Sequence, residues 1–580
     1  MKRTFLLALG LFRAAGLVTL ASVAAAQSTS GWTWTGVEIL EPVMLSSSPP
    51  EAPFVTCDAA GHAVSVWNSP AKGIVFAERC PSGAWSAANP IVPGADGASP
   101  HVAIGPSGVV AATWAIPAQQ YVPPKLAVTV RPLAGTFPGP TIWTTASNVS
   151  DPRVGVALDG SVTLIWGEGG RIKSATMTPA GLWSTPAFLS PSGVTAWLHE
   201  LAVNEAGAAI AAWQETPIGG SGPSVISAAC RVAPSSSPWG AAQVVSSGTG
   251  QQTWNPKPGI DAAGNVALGY LDGNAMLLAR KPNFGSWSAP ARVSPANDAV
   301  YYPALAMDAA GNVLAAWQKL NASNYGKISK RLIPATGTWG AVTVLSNATQ
   351  DASWPKASFA RDGSVWAVTW GDNTTFAAEV AIGDASGAFG VHSVGAVWWN
   401  TEVPVAAGAG AISAVWPAPT NNPNVTRMVA NVFSGSNHSY CTAGTTSHGC
   451  VPSILGSGHP SASAGSGFTI TVQNVEGQQN GLIFYGLQGG QATPWSSAST
   501  SLLCVKPPTQ RMTLQGSGGT LGACNGVLSI DWNAFVATHP GALGTPFSGA
   551  ELVWAQGWFR DAASAKTTGL SDGLMFVVCP

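Results

Sequence analysis

Carboxylates recur at one place in this sequence. Glu168, Glu215, Asp272 and Asp372 each stand two residues after an aromatic, Trp166, Trp213, Tyr270 and Trp370, and Lys319 takes the same place after Trp317. A second set, His101, Arg153, Glu200, Lys257 and Lys356, lies seven residues before the glycines of a recurrent turn. Two carboxyl groups at a defined separation are what glycoside hydrolysis needs, one as the acid and one as base or nucleophile. Upstream of the second set come Trp197, Trp254, Tyr301, Tyr302, Trp354, Trp398 and Trp399. Flat rings interspersed with carboxylates, Asn and Gln suit a sugar, whose C–H face stacks and whose hydroxyls need paired donors and acceptors. The same side chains also have a plain structural use: the tryptophans would wedge neighbouring elements, and Arg153 and Lys257 would pair with Glu200.

The elements that must position these residues are repeats. DAAGNVLAAW at 308–317 recurs as DAAGHAVSVW at 58–67 and DAAGNVALGY at 261–270. Aligned on Gly61, Gly108, Gly160, Gly207, Gly264, Gly311, Gly363 and Gly410, eight copies follow one another at intervals of about 50 residues, the size of a four-stranded propeller blade. Ahead of each glycine an apolar position (Cys57, Ile104, Val156, Val203, Ile260, Met307, Phe359, Ala406) alternates with a mostly small one (Ala103, Gly155, Ala202, Gly259, Ala306), a period of two that predicts the innermost strand. Asp at the first turn position can bond its own backbone and Gly at the fourth tolerates positive φ, so DAAGN reads as a hairpin, and Asp58, Asp261 and Asp308 as turn residues in preference to metal or substrate ligands.

A further aromatic, Trp85, Phe137, Trp183, Trp239, Trp287, Trp339 or Phe389, opens a predicted outer strand in seven copies. The eighth outer strand is expected from the other end of the chain, in GWTWTGVEILEPVMLSS at 31–47, which would remove the open sheet edge. The fold class is therefore all-β: an eight-bladed β-propeller over 31–434 closed by the N-terminal strand, with repeats near 51–97, 98–149, 150–196, 197–250, 251–300, 301–350, 351–400 and 401–434, followed by a C-terminal β-sandwich at 435–580. The hairpins between second and third strands, longest at 116–124, 215–224, 319–327 and 418–424, fall on the face opposite the DAAGN turns, and variable loops on one face are where binding resides.

Residues 1–26 carry Lys2 and Arg3, an apolar run and a small-residue end, the pattern of a secretory signal peptide, so a secreted or outer-surface location is expected. No later segment is apolar enough to span a bilayer. A formal net charge of −1 without a basic run excludes nucleic acid as a partner. Eight cysteines in an exported chain favour disulfides: Cys441 with Cys450 and Cys504 with Cys524 are the local pairs, and Cys57 with Cys80 can pair within the first blade. His438, Cys441, His448 and Cys450 imitate a zinc set by residue type, but the disulfide is expected there. No phosphate-binding glycine loop, nucleophile elbow or His-Glu-x-x-His occurs.

The DAAGNVLAAW repeats resemble those of secreted bacterial propellers loosely grouped with the sialidase-like and BNR-type families. The resemblance covers roughly 31–434 and implies the fold, without a catalytic residue: the repeat spacing departs from a true Asp-box, and Arg153 alone stands where a sialidase would need an arginine cluster. In the tail, GLIFYGL, LLCVKPPTQR, DWNAF, WAQGWFRD and LSDGLMF resemble a C-terminal module behind varied domains in large secreted proteins of environmental bacteria, which implies a shared task such as surface attachment. The expected function is carbohydrate binding or adhesion by a monomer, with a glycan or glycoprotein surface as partner. The alternatives are a glycosidase or polysaccharide lyase at the same mouth, or a structural surface protein. No cofactor is expected, with calcium as the one ion left open.

Overall fold

The structure is a computed structural model. It describes residues 32–579 except 46–50, 60, 81–82, 95–96, 121, 133–134, 220–221, 247–251, 322, 324, 385, 409–410, 423–424, 436–437, 459, 498 and 548–550. The expected signal segment 1–26 and the repeat glycine Gly410 lie outside the described residues.

Seven antiparallel four-stranded sheets run along the chain, each with its strands in sequence order from the inside out, as in Val149–Val156, Val162–Glu168, Arg171–Met177 and Ala187–Phe188. The eighth is built from both ends of the propeller segment. Val405–Ala407, Ala411–Pro419 and Val425–Gly435 are completed by Trp32–Trp34 and Glu38–Leu45, both antiparallel to Val425–Gly435. Leu40 and Met44 enter one apolar cluster with Val55 and Trp67 of the first blade and Val415 and Met428 of the last. The N-terminal strand therefore cements the last blade to the first through side chains as well as backbone.

Adjacent blades meet large against small. An added Cβ on Gly155 would lie 2.4 Å from Cγ2 of Val203 in the next blade, and one on Gly259 would lie 2.7 Å from Met307 Cβ. The alternation of small and apolar residues is thus the contact itself: the small position of one innermost strand receives the apolar position of the next. The second-strand aromatics, Trp67 through Trp416 with Tyr270 in the fifth blade, are all buried to within 1%. The hairpin aspartates behave as turn chemistry requires: Asp261 accepts from Asn265 N and Nδ2, both at 2.7 Å, Asp308 does the same with Asn312, and Asp58 pairs with His62 Nδ1 at 2.8 Å.

The seventh outer strand, Phe389–Ala396, opens at its aromatic as predicted, but most of the others are shorter than that signal predicts. Trp85 and Trp183 make only isolated bridges to Arg79 and Met177, and regular pairing starts later, at Asn89–Pro90 and Ala187–Phe188. Trp85 is buried in the blade and Trp183 part-buried, and only the residues beyond them pair regularly.

From His438 onward the chain forms a six-stranded sheet containing Asn480–Gly486, Leu552–Arg560 and Thr568–Val577, and a three-stranded sheet of Ser453–Gly458, Phe468–Val475 and Gly526–Asp531. Both contribute to one core that includes Ile470, Val472, Tyr485, Leu528, Val553 and Phe576. A helix, Trp532–Thr538, capped by Asp531 accepting from Ala534 N, was not expected; seven residues are too few to show a helical period. Among the described residues no helix is long and apolar enough to cross a membrane.

The local disulfide pairing is corrected. The bonds are Cys441–Cys504, Cys450–Cys524 and Cys80–Cys579, with Cys57 and Cys230 free. Tyr440 Oη donates to Cys504 O at 2.7 Å, so packing of the Leu502–Val505 hairpin brings residue 441 beside 504. Cys57 ends an innermost strand and Cys80 follows the third strand of the same sheet, about 10 Å away at two inter-strand spacings and beyond disulfide reach.

Candidate functional site at the channel mouth

In seven of the eight blades the chain enters the innermost strand through the same kink. Ser99, Asp151, Leu198, Asn255, Tyr302, Trp354 and Asn400 all adopt left-handed φ, between 43° and 59°, and six of these strands show a register shift there. In five of the seven the next residue is proline, which brings no amide N–H to a position where the ladder is broken. The residue after that is His101, Arg153, Glu200, Lys257, Ala304, Lys356 or Glu402. The kink therefore turns one residue in each of these seven blades to the same place, and all but His101 line the channel mouth.

These residues converge on a cavity of about 580 Å³ lined by Arg153, Glu200, Lys257, Lys356 and Glu402 together with Glu51 and Asp151. Glu200 holds Arg153 Nε at 3.1 Å and Lys257 Nζ at 2.6 Å, and Glu402 holds Lys356 at 2.7 Å. His101 lies behind this layer, its ring 3.7 Å from that of Phe54 and its Nδ1 accepting from Val154 N. Burial, reinforced by Arg153, pushes the His101 pKa well below its usual value, so the ring is neutral at pH 7. Burial opposes ionisation of Glu200, but Lys257 and Arg153 outweigh it and hold the carboxyl far below its ordinary range. Glu51 goes the other way: burial raises its pKa, against the Ser99 N–H, and Asp151 adds repulsion.

A depressed carboxyl pKa contributes stability that is present above the unfolded-state value, here about 4.5, and is lost as the pH falls through the folded value. Glu200→Gln is therefore expected to melt below wild type at pH 7, with the difference shrinking as the pH is taken well below 4.5. Thermal melts across that range check it; a difference independent of pH would show that the ion pairs contribute nothing.

The carboxylates that follow the second-strand aromatics are elsewhere. Glu168, Glu215, Asp272 and Asp372 are buried and do not line this cavity. Glu168 accepts from Trp166 Nε1 at 3.1 Å and Ala146 N at 3.2 Å and pairs with Lys173; Glu215 accepts from Trp213 Nε1 at 2.5 Å and Ser227 Oγ at 2.7 Å. Asp372 accepts from Thr374 N and Thr375 Oγ1, and Asp272 borders a separate shallow cavity with Arg292 and Asp298. The first blade, which has Ser69 at this position, borrows Glu41 from the N-terminal strand to bind Trp67 Nε1 at 2.8 Å. An indole N–H buried with its carboxylate is a means of locking a blade, and it leaves those oxygens little freedom for chemistry.

The aromatics divide similarly. Trp254 packs into the core between blades, and Trp197, Trp254 and Tyr301 are part-buried on the innermost strands opposite Gln214, Leu271 and Gln318. At the rim, Tyr302 and Trp354 stand with ring centres 3.8 Å apart, Trp354 Nε1 donates to Asn400 Oδ1 at 2.5 Å, and Trp399 is 64% exposed.

Sequence reasoning missed Glu51, Asp151 and Glu402. Counting back from Gly410 selects Val403, but it is the left-handed Asn400 that brings Glu402, two positions later, to the mouth, as Asp151 does for Arg153. The parallel between Asp151-Pro-Arg153, Asn255-Pro-Lys257 and Asn400-Thr-Glu402 was the signal that could have found Asp151 and Glu402. Among the described residues no group of three His, Cys, Asp or Glu side chains is placed to hold a metal ion.

No family model and no curated protein matches the chain. Among solved structures it is similar to a fungal alcohol oxidase of the AA5 family in complex with copper, at 13% identity over 95% of this chain and 100% of that one, with a TM-score of 0.37. It is also similar to a lectin from Burkholderia pseudomallei, at 14% identity over 60% and 99% of the two chains with a TM-score of 0.42, and to the polysaccharide lyase Uly1, at 9% over 56% and 88% with a TM-score of 0.38. Likenesses this distant carry no argument about activity, and the propeller description rests on the chain's own sheets.

Proposed function

We propose that the protein binds a glycan at the channel mouth. What carries the reading is a single arrangement: an ion-paired polar cavity of about 580 Å³ beside a rim of Tyr302, Trp354, Asn400 and the exposed Trp399. Such a site offers a sugar both a stacking face and charged hydrogen-bond partners. Three disulfides fit an extracellular setting, in keeping with the signal-like residues 1–26.

A glycan array probed with the full chain tests this. Binding is expected, and Trp399→Ala and Trp354→Ala are each expected to weaken it by about tenfold, the scale of one lost aromatic contact. A folded protein that binds no glycan overturns the reading.

A hydrolase or lyase at the same mouth is the second reading, favoured by one observation: Glu51, its pKa raised by burial, faces the charge of Asp151. Two carboxyls at one mouth are what a glycosidase uses as acid and as base or nucleophile. Release of reducing ends from a bound glycan, abolished by Glu51→Gln with binding retained, would decide for catalysis; binding without release decides for a lectin.

A further inference from the structure

The C-terminal module holds a cavity that the propeller reading does not use. Along Asn480–Gly486, Ile483 and Tyr485 point into the core between the two sheets, which leaves Leu482 and Phe484 on the opposite face. A hairpin, Gly490–Pro494 with Leu502–Val505, lies over that face, pinned by Gln556, which accepts from Cys504 N at 2.9 Å and donates to Leu502 O at 2.8 Å. The hairpin does not cover the face completely. A cavity of about 540 Å³ remains, walled by Phe484, Trp495, Leu503 and Trp558 and rimmed by Leu514, which is 60% exposed.

Its chemistry is the reverse of the channel mouth. Eight of the ten lining residues are apolar; Thr509 and Arg511 are the two polar ones, and no carboxylate is present. Arg511 makes no ion pair among the described residues. Two more cations stand on the faces of the lining indoles, Lys566 Nζ at 3.6 Å from the Trp495 ring centre and Arg560 at 5.7 Å from that of Trp558. A sugar would find almost no partners for its hydroxyls here. A hydrocarbon chain would find an apolar slot of the size of small-molecule sites, and a negative group at its end would find uncompensated positive charge.

We infer that the C-terminal module binds a single-chain anionic amphiphile, its hydrocarbon chain between Trp495, Leu503 and Trp558 and its head group on Arg511. The reading is independent of glycan binding by the propeller.

Titration calorimetry of the full chain with dodecanoate, below the concentration at which it forms micelles, tests this, with dodecyl maltoside supplying the same chain on a neutral head. One saturable site is expected for dodecanoate. Arg511→Gln should weaken dodecanoate about tenfold and leave dodecyl maltoside unchanged, while Leu514→Glu, at an exposed rim position that does not endanger folding, should weaken both. Absence of saturable binding by the folded wild type overturns the inference, as does dodecanoate binding that neither variant alters.

Discussion

A chain that starts at Glu51, without Trp32–Leu45, is expected not to yield a soluble monomer. The deletion removes Leu40 and Met44, which are 2% and 0% exposed, from the joint between first and last blades. Each such side chain contributes about 2 kcal/mol through burial. It also removes Glu41, which accepts from Trp67 Nε1 and Ser69 Oγ, and Glu38, which accepts from Trp85 N at 2.8 Å. Each partner left buried and unsatisfied costs about 1–3 kcal/mol. The sum is comparable with the roughly 5–15 kcal/mol by which a whole domain is stable, and it leaves Val425–Gly435 as an uncovered edge open to pairing with other chains. Size-exclusion chromatography should show aggregate or higher oligomer, and a peptide spanning 27–47 added during refolding should restore monomer. A truncated chain that elutes as a monomer and melts with the wild type would show that these strands are an ornament.

Cys80→Ser is expected to have the next largest effect. The Cys80–Cys579 bond joins residues 499 positions apart, the end of the third strand of the first blade and the last strand region of the C-terminal module. A cross-link closing so long a loop restricts the unfolded chain strongly, and its loss costs about 2–5 kcal/mol. Calorimetry of Cys80→Ser and Cys579→Ser should show the same lowered transition, with the module melting apart from the propeller. The other two disulfides lie within the module and should leave its own folding unit intact. Thiol titration of the native protein should find two reactive groups at most, from Cys57 and Cys230, which burial makes poor thiolates by raising their pKa. Finding Cys80 and Cys579 reduced and reactive in native, air-oxidised protein would overturn the assignment.

Both results turn on contacts between residues far apart in the chain, and that is where reading the sequence ran out. The DAAGN hairpins, the alternation of Val203 with Ala202 or Met307 with Ala306, and the missing outer strand near 434 were legible because each rests on a local pattern repeated seven or eight times. Repetition averages out the ambiguity of any single strand. The ion pairs of Glu200 with Arg153 and Lys257 were legible for the same reason, since equivalent positions in successive blades become neighbours around the axis.

What the repeat does not encode stayed hidden. The second-strand carboxylates Glu168 and Glu215 look in sequence like members of a site, and only packing shows their oxygens spent on buried indoles. Glu41 performs the same task from a strand outside the repeat, and Glu402 stands one residue off the repeat count, placed by the left-handed kink at Asn400. Spacing could not pair Cys80 with Cys579 or bring Cys441 to Cys504, because loop closure is set by how sheets stack and not by distance along the chain. The sequence by itself determined the blade, its number and its order, since these follow from local alternation and turn chemistry. The tertiary structure alone decided which polar groups reach the channel mouth, which are consumed in holding the blades together, and how the second module is fastened to the first, since burial and ion pairing depend on which surfaces meet.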